Sequence, residues 1–217
     1  MRKENMTYYF SVEGGTEKWY LDWLKDRINE SAEAKYTVKL DSKIQKDPRS
    51  RVKGMTIINK TEITHIFDRE SEESSDYKLF IATLDRMKEA EQSGKSIKYT
   101  LGYSNFTFDL WMILHKADCN SAKCHRKDYL EIINQVYHER FETLEDYKRE
   151  KNFERILKQL SLKNVREAIR RAERLMQRNQ EMGLVLQQYK GYSFYNENPS
   201  LSIWEIIKKI LKDCKLL

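Results

Sequence analysis

Met6-Thr7-Tyr8-Tyr9-Phe10-Ser11-Val12-Glu13-Gly14-Gly15-Thr16 is the stretch whose reading sets the architecture. An apolar and aromatic run ends abruptly at an acid and two glycines, which reads as a buried strand followed by a turn. Thr16 can cap the helix behind it, where Trp19, Tyr20, Trp23, Leu24 and Ile28 recur at helical spacing.

The same alternation continues downstream. Tyr36 to Leu40 alternates like a strand, and Val52 to Lys60 suits a helix after the loop through Asp47-Pro48. Ile63-Thr64-His65-Ile66-Phe67 is the next strand and stops at Asp68-Arg69-Glu70. Ser74-Ser75-Asp76 opens a helix toward Glu91, Ser93-Gly94 closes it, and Ile97 to Tyr103 is a fourth strand. Strands separated by helices are joined by crossovers and run parallel. The expected fold is α/β, with about four parallel strands and helices on both faces. Everything after Ser104 looks helical. Phe106 to Leu114 is apolar nearly all round, Val165, Ala168, Ile169, Ala172 and Met176 form one stripe, and Ile203, Trp204, Ile207, Ile210, Leu211 and Cys214 form another.

Composition bounds the function. The 217 residues are 34% charged and 40% hydrophobic, and the seven glycines and two prolines argue against a β-sandwich or a disordered chain. No apolar run is long enough for a membrane span, and Glu13 interrupts the first apolar run too soon for a signal peptide. Three cysteines give no disulfide framework, so a reducing cytoplasm is expected. The net charge is +6, but residues 148–178 alone carry eleven basic and four acidic side chains, leaving the rest at −1. That concentration suits a polyanion partner, or a solvated helix face.

In an open parallel sheet the residues just past the carboxyl ends of strands face the ligand crevice. Glu13 stands there after the first strand, Asp68 and Glu70 after the third. An Asp-x-Glu in extended backbone points both acids the same way, and converging carboxylates repel unless a proton or cation intervenes. Mg²⁺ or Mn²⁺ suits such hard oxygens and can polarise a phosphoryl oxygen. Gly14, Gly15 and Thr16 allow close backbone approach, and the helix start behind them offers N–H groups to a phosphate. Each motif also has a plainer reading: a turn with a solvated acid, a helix cap or a salt bridge.

Other groups stay open in the same way. Asn105 and Asp109, four apart on an expected helix, share a face; they reach the crevice or cap and stabilise the helix start. His115, Cys119, Cys124 and His125 lack the paired spacing of a structural zinc site, and His115 is better read as packed with its ring hydrogen-bonded. Arg166, Arg170 and Arg174 make an i, i+4 row suited to phosphates, which Lys148 and Lys151 extend, or they pair with Glu167 and Glu173. Tyr189, Tyr192, Phe194 and Tyr195 around Gly191 either stack on bases or close over the core.

These residues in this order resemble the RloB-like proteins of bacterial phage-defence and restriction-associated loci, which are related to the Toprim fold. The resemblance runs through Tyr8 to Glu17 and Phe67-Asp68-Arg69-Glu70, then Ser104-Asn105-Phe106-Thr107-Phe108-Asp109-Leu110-Trp111-Met112-Ile113-Leu114-His115. It continues in Tyr147-Lys148, Ala168 to Ala172 and Asn198-Pro199-Ser200. It implies a Toprim-like α/β core over residues 1–118 and a helical extension over 119–217 packed on it, or one continuous domain. By motif position, Glu13 would be the general acid/base or a further ligand, and Asp68 and Glu70 the principal metal ligands, with Asp109 beside them. Two departures stand out: Asp-x-Glu replaces the usual Asp-x-Asp, and Phe106 and Asp109 replace a Pro and a Glu. The implied function is a metal-dependent nuclease cleaving DNA or RNA in phage defence by abortive infection, with an AAA- or ABC-type ATPase as partner. The alternatives are a non-catalytic regulatory subunit that binds nucleic acid or the ATPase, and a nucleotide-modifying phosphotransferase.

Overall fold

Four parallel strands carry the fold in a computed structural model that describes residues 3–71, 73–123, 125 and 127–217. They are β1 (Asn5–Val12), β2 (Thr37–Ile44), β3 (Thr61–Arg69) and β4 (Ile97–Asn105), in spatial order β2-β1-β3-β4. The chain runs outward from β1 to β2 and returns on the other side to β3. The strand order therefore reverses between β1 and β3, and the crevice of an open α/β sheet lies at such a point. Val12 pairs with Ile66 across this junction, which sets Glu13 and Asp68 side by side just beyond it.

Side-chain alternation gives each face its own core. Phe10, Val12 and Ile66 point toward α1 (Gly15–Glu30), whose Tyr20, Leu21, Leu24 and Ile28 are fully buried. Ile63, Phe67, Tyr99 and Tyr103 point toward α2 (Pro48–Lys53) and α3 (Ser74–Glu91), meeting Val52, Phe80, Leu84 and Met87. Asp47 caps α2 through its side chain and Pro48 opens it, so this helix starts ahead of the Val52–Lys60 span expected from sequence and overlaps it only at Val52 and Lys53.

Beyond β4 come α4 (Asp109–Leu114), α5 (Asp128–Tyr137), α6 (Leu144–Tyr147), α7 (Glu150–Leu157), α8 (Leu162–Glu181) and α9 (Ile203–Asp213). Their apolar stripes join the α1 face, so one hydrophobic cluster runs from Phe10 through Trp111, Ile133 and Ile169 to Leu216. The expectation of helix throughout this region fails at one place. Residues Leu186–Tyr189 and Tyr192–Tyr195 form an antiparallel hairpin, β5–β6. Its two-residue turn, Lys190-Gly191, has φ of 49° and 86°, the left-handed pair that such tight hairpins require. The hairpin lays Tyr192 and Phe194 on the α3 face, with Phe194 4.8 Å from Phe80 ring to ring. The aromatic cluster around Gly191 is core-closing. Among the described residues no helix is long and apolar enough to cross a membrane.

Candidate active site at the sheet switch point

Glu13 follows the last residue of β1, and its Oε2 accepts a hydrogen bond from the backbone N–H of Asp68, 3.2 Å away at the end of β3. Parity along β3 turns Asp68 to the same face as Ile66, toward α1. There it meets two further acids. Glu17, in the first turn of α1, is 5% exposed and accepts from Thr16 Oγ1. Asp109, at the start of α4, is fully buried, with Oδ2 2.9 Å from Thr107 Oγ1.

Phe106 is what brings Asp109 inward. Its φ is 65°, and its N–H donates to the Arg69 carbonyl at 2.8 Å. The chain thus leaves β4 in a sharp bend that directs the next residues back under the sheet edge. A proline could neither adopt this φ nor donate this bond, so the departure at position 106 belongs to the geometry seen here. The bend also separates Asn105 from Asp109: Asn105 ends a strand and Asp109 begins a helix, so the two do not share one helical face.

The charges act on one another. Burial pushes the Asp68 carboxyl well above its usual range, Glu17, Glu13 and Asp109 push it further, and Lys148 pulls it back. Burial also raises Glu17, which Lys148 lowers and Asp109 raises. Glu13 is raised by burial and by Glu17 and Glu70, against the Asp68 N–H and Lys46. Lys148, just past α6, is the central cation. Its Nζ lies 3.5 Å from Asp109 Oδ2 and 3.4 Å from Thr107 Oγ1. Burial works against its charge, but Asp109, Asp68 and Glu17 outweigh that and hold the ammonium on. Three carboxylates, Asp109, Asp68 and Glu17, thus share this one ammonium, Glu13 adds a fourth negative charge beside Asp68, and Asp109 Oδ1 is buried without a hydrogen-bond partner. This all-oxygen set with an excess of negative charge fits a hard divalent cation chemically. Among the described residues no three acidic, histidine or cysteine side chains close into a ligand group.

The structure sorts the sequence candidates. Glu13, Asp68 and Asp109 come together. Glu70 lies past the end of β3, exposed, and is felt there by Glu13. Glu17 was missed, although Glu13-Gly-Gly-Thr-Glu17 places it one helical turn from the first acid, where a first-turn side chain points back toward the helix start. Lys148 belongs inside the carboxylate cluster, more than on the basic row it was read as extending. Gly14 and Gly15 admit neighbours: a Cβ on Gly14 would lie 3.1 Å from Glu17 Oε2, and one on Gly15 2.8 Å from the Trp19 ring. Gly14 takes the cap position of α1, so Thr16 lies within the helix and does not cap it.

Asn105 is buried at the carboxyl end of β4 and works as a clamp. Its Nδ2 donates to the carbonyls of Tyr195 and Glu197 and to Ser200 Oγ, while Oδ1 accepts from Arg69 at 3.1 Å. No donor of its amide is left for a phosphate. The arginines of α8 are likewise engaged: Arg166 with Glu33 and the Leu216 carbonyl, Arg170 with Glu167, Arg174 with Asp118. His115 is buried, its Nδ1 2.8 Å from the Trp111 carbonyl and its Nε2 3.1 Å from Tyr20 Oη, so both ring nitrogens have protein partners. Cys119 is a buried free thiol, and Cys124 lies outside the described residues.

Comparison with curated proteins and with solved structures found no significant match. A family model described as RloB-like protein matches residues 8–210, a span that includes Glu13, Glu17, Asp68, Asp109 and Lys148. The chain belongs to the RloB-like protein family.

Proposed function

We propose that the protein is a Mg²⁺- or Mn²⁺-dependent nuclease that cleaves phosphodiester bonds in DNA or RNA, in a phage-defence setting of the abortive-infection kind. The observation that carries this reading is the meeting of Glu13, Glu17, Asp68 and Asp109 with Lys148 at the strand-order reversal. Asp68, Asp109 and Glu13 would hold the ion, with Glu70 reaching in from the rim. Bound there, the metal would supply Lewis acidity to a phosphoryl oxygen and lower the pKa of a water. The protein's own part is separate. Glu13, its carboxyl raised by burial, suits the transfer of a proton to or from the nucleophile. Lys148 places a fixed positive charge where a phosphate's negative charge grows during bond breakage.

The test is incubation with plasmid, single-stranded DNA and RNA in Mg²⁺ and Mn²⁺, beside Asp68→Asn and Glu13→Gln. Metal-dependent cleavage that both variants lose, with both still folded, is the expected result. Metal-independent cleavage, or full activity in both variants, sinks the mechanism.

A second reading has one observation in its favour. Lys148 already stands against Asp109, which suits a site that holds charge without catalysis. On that reading the chain is a regulatory subunit binding nucleic acid or an ATPase of the AAA or ABC type. It predicts no hydrolysis with any metal, and salt-sensitive binding of nucleic acid or stable co-purification with the ATPase.

A further inference from the structure

Lys148 lines two places at once: the carboxylate cluster, and a separate pocket of about 490 Å³ on the helical side. The pocket's other walls include Lys127, Leu130, Glu142, Leu144 and Glu145. Its volume lies within the usual span for small-ligand sites, roughly 300–1,000 Å³. Lys46, in the loop after β2, acts electrostatically on Glu13. A second cation thus acts on the acids, and Lys148 joins the acid cluster to the cavity.

We infer that this pocket receives one unstacked base of a single-stranded nucleic acid whose backbone crosses the carboxylate cluster. The inference rests on the nuclease reading for the role of the cluster, and adds the strand type of the substrate. The lining fits a base better than a phosphate alone. Leu130 and Leu144 offer apolar surface to the ring, Glu142 and Glu145 can accept from exocyclic amino groups, and Lys127 and Lys148 match the phosphates on either side. Glu142 and Glu145 would repel a bare anion, which argues against a free-phosphate site. A base in a duplex is stacked and paired and cannot enter such a cavity without leaving the helix, so the geometry selects single strands or unpaired loops.

The experiment measures fluorescence anisotropy of a labelled single-stranded oligonucleotide and of its duplex, with the protein in Ca²⁺, a hard cation that offsets the carboxylates the backbone must cross. Two variants outside the carboxylate cluster accompany it: Leu144→Trp, which fills the cavity, and Lys127→Glu, an exposed change that spares the core. Wild type should bind the single strand about tenfold tighter than the duplex, and each variant should lose roughly fivefold to tenfold for the single strand alone. Melting temperature and Mn²⁺ binding by paramagnetic relaxation should stay unchanged in Lys127→Glu. Equal binding of duplex and single strand, binding of neither, or wild-type affinity in both variants overturns the inference. Capture of a peptide in the pocket in place of the oligonucleotide does the same. Selective single-strand binding with no cleavage under any metal would sink the nuclease reading and leave the pocket standing; metal-dependent cleavage unaffected by either variant would do the reverse.

Discussion

Lys148 Nζ lies 3.5 Å from Asp109 Oδ2, and the two reach each other from different parts of the fold. Asp109 starts the helix just after the sheet, while Lys148 follows α6 in the helical region. The crevice is thus completed only when the helical region docks. Removing the ammonium leaves Asp109, Asp68 and Glu17 facing one another with less compensation. Lys148→Met should lower unfolding free energy by about 1–3 kcal/mol at pH 7 in the absence of metal, as when a buried charge-assisted partner is lost. Added Mn²⁺ should restore part of that. Urea titrations with and without Mn²⁺ read both effects, and a variant as stable as wild type without metal would show that the lysine is not compensating the acids.

Asp68→Asn should act in the opposite direction on stability. The folded-state carboxyl is raised well above its ordinary value of 3.8, so the folded protein holds this proton more tightly than the unfolded chain. Stability from that proton is present at acid pH and is lost as pH rises through the folded value. At pH 7 the charged Asp68 therefore burdens the metal-free fold, and Asn relieves it. The variant should melt higher than wild type at pH 7, and the gap should close as pH falls toward 4. Mn²⁺ should raise the wild-type melting temperature and barely move the variant's. A variant that melts lower at pH 7 would mean Asp68 is held by favourable partners.

Asn105 separates structural from functional roles in the block that marks the family resemblance. Its amide is a hub between β4, Arg69 and residues 195–200. Asn105→Ala should lose about 2–3 kcal/mol, because buried carbonyls and the Arg69 guanidinium lose a partner together. Nucleic-acid affinity of the folded fraction should not change. Chemical denaturation and anisotropy on the same preparation measure the two quantities, and a large affinity loss at unchanged stability would return Asn105 to the binding surface.

The residues on which this site depends were unequally readable. Strands and crossovers were legible because apolar runs end at acids and glycines, and that alone placed Glu13 and Asp68 at one rim. Asp109 was reachable through its motif, yet its inward direction depends on the positive φ of Phe106, which no periodicity announces. Glu17 was hidden by looking ordinary: an acid in a first helical turn is the common dipole partner. Lys148 lies 80 residues from Asp68 in a segment rich in basic side chains, so only the packing distinguishes it from its neighbours. The hairpin was missed because its strands have four residues each and its turn, Lys190-Gly191, lacks the Asn-Gly or Asp-Gly signal.

The buried histidines make a last prediction, on the acid limb. His115 Nδ1 faces the Trp111 carbonyl, which can only accept, so that nitrogen carries the proton and Nε2 accepts from Tyr20 Oη. Burial pulls His115 down to about 3 and His65, bonded to Ser11 Oγ at 2.6 Å, down to about 4. Both folded values lie below the ordinary 6.5, so the unfolded chain binds these protons first. Their contribution is whole above about pH 6.5 and is lost as pH falls toward the folded values, by up to about 1.4 kcal/mol per pH unit for each ring. Asp68, Glu13 and Glu17 oppose this, since their raised carboxyls take up protons in the folded state first. Wild-type stability should therefore decline only gently between pH 6.5 and 4.5, and Asp68→Asn, stripped of one opposing group, should decline more steeply. Imidazole NMR signals of His65 and His115 should show no midpoint above pH 5. A midpoint near 6.5 for either ring, or parallel stability curves for the two proteins, would contradict this balance.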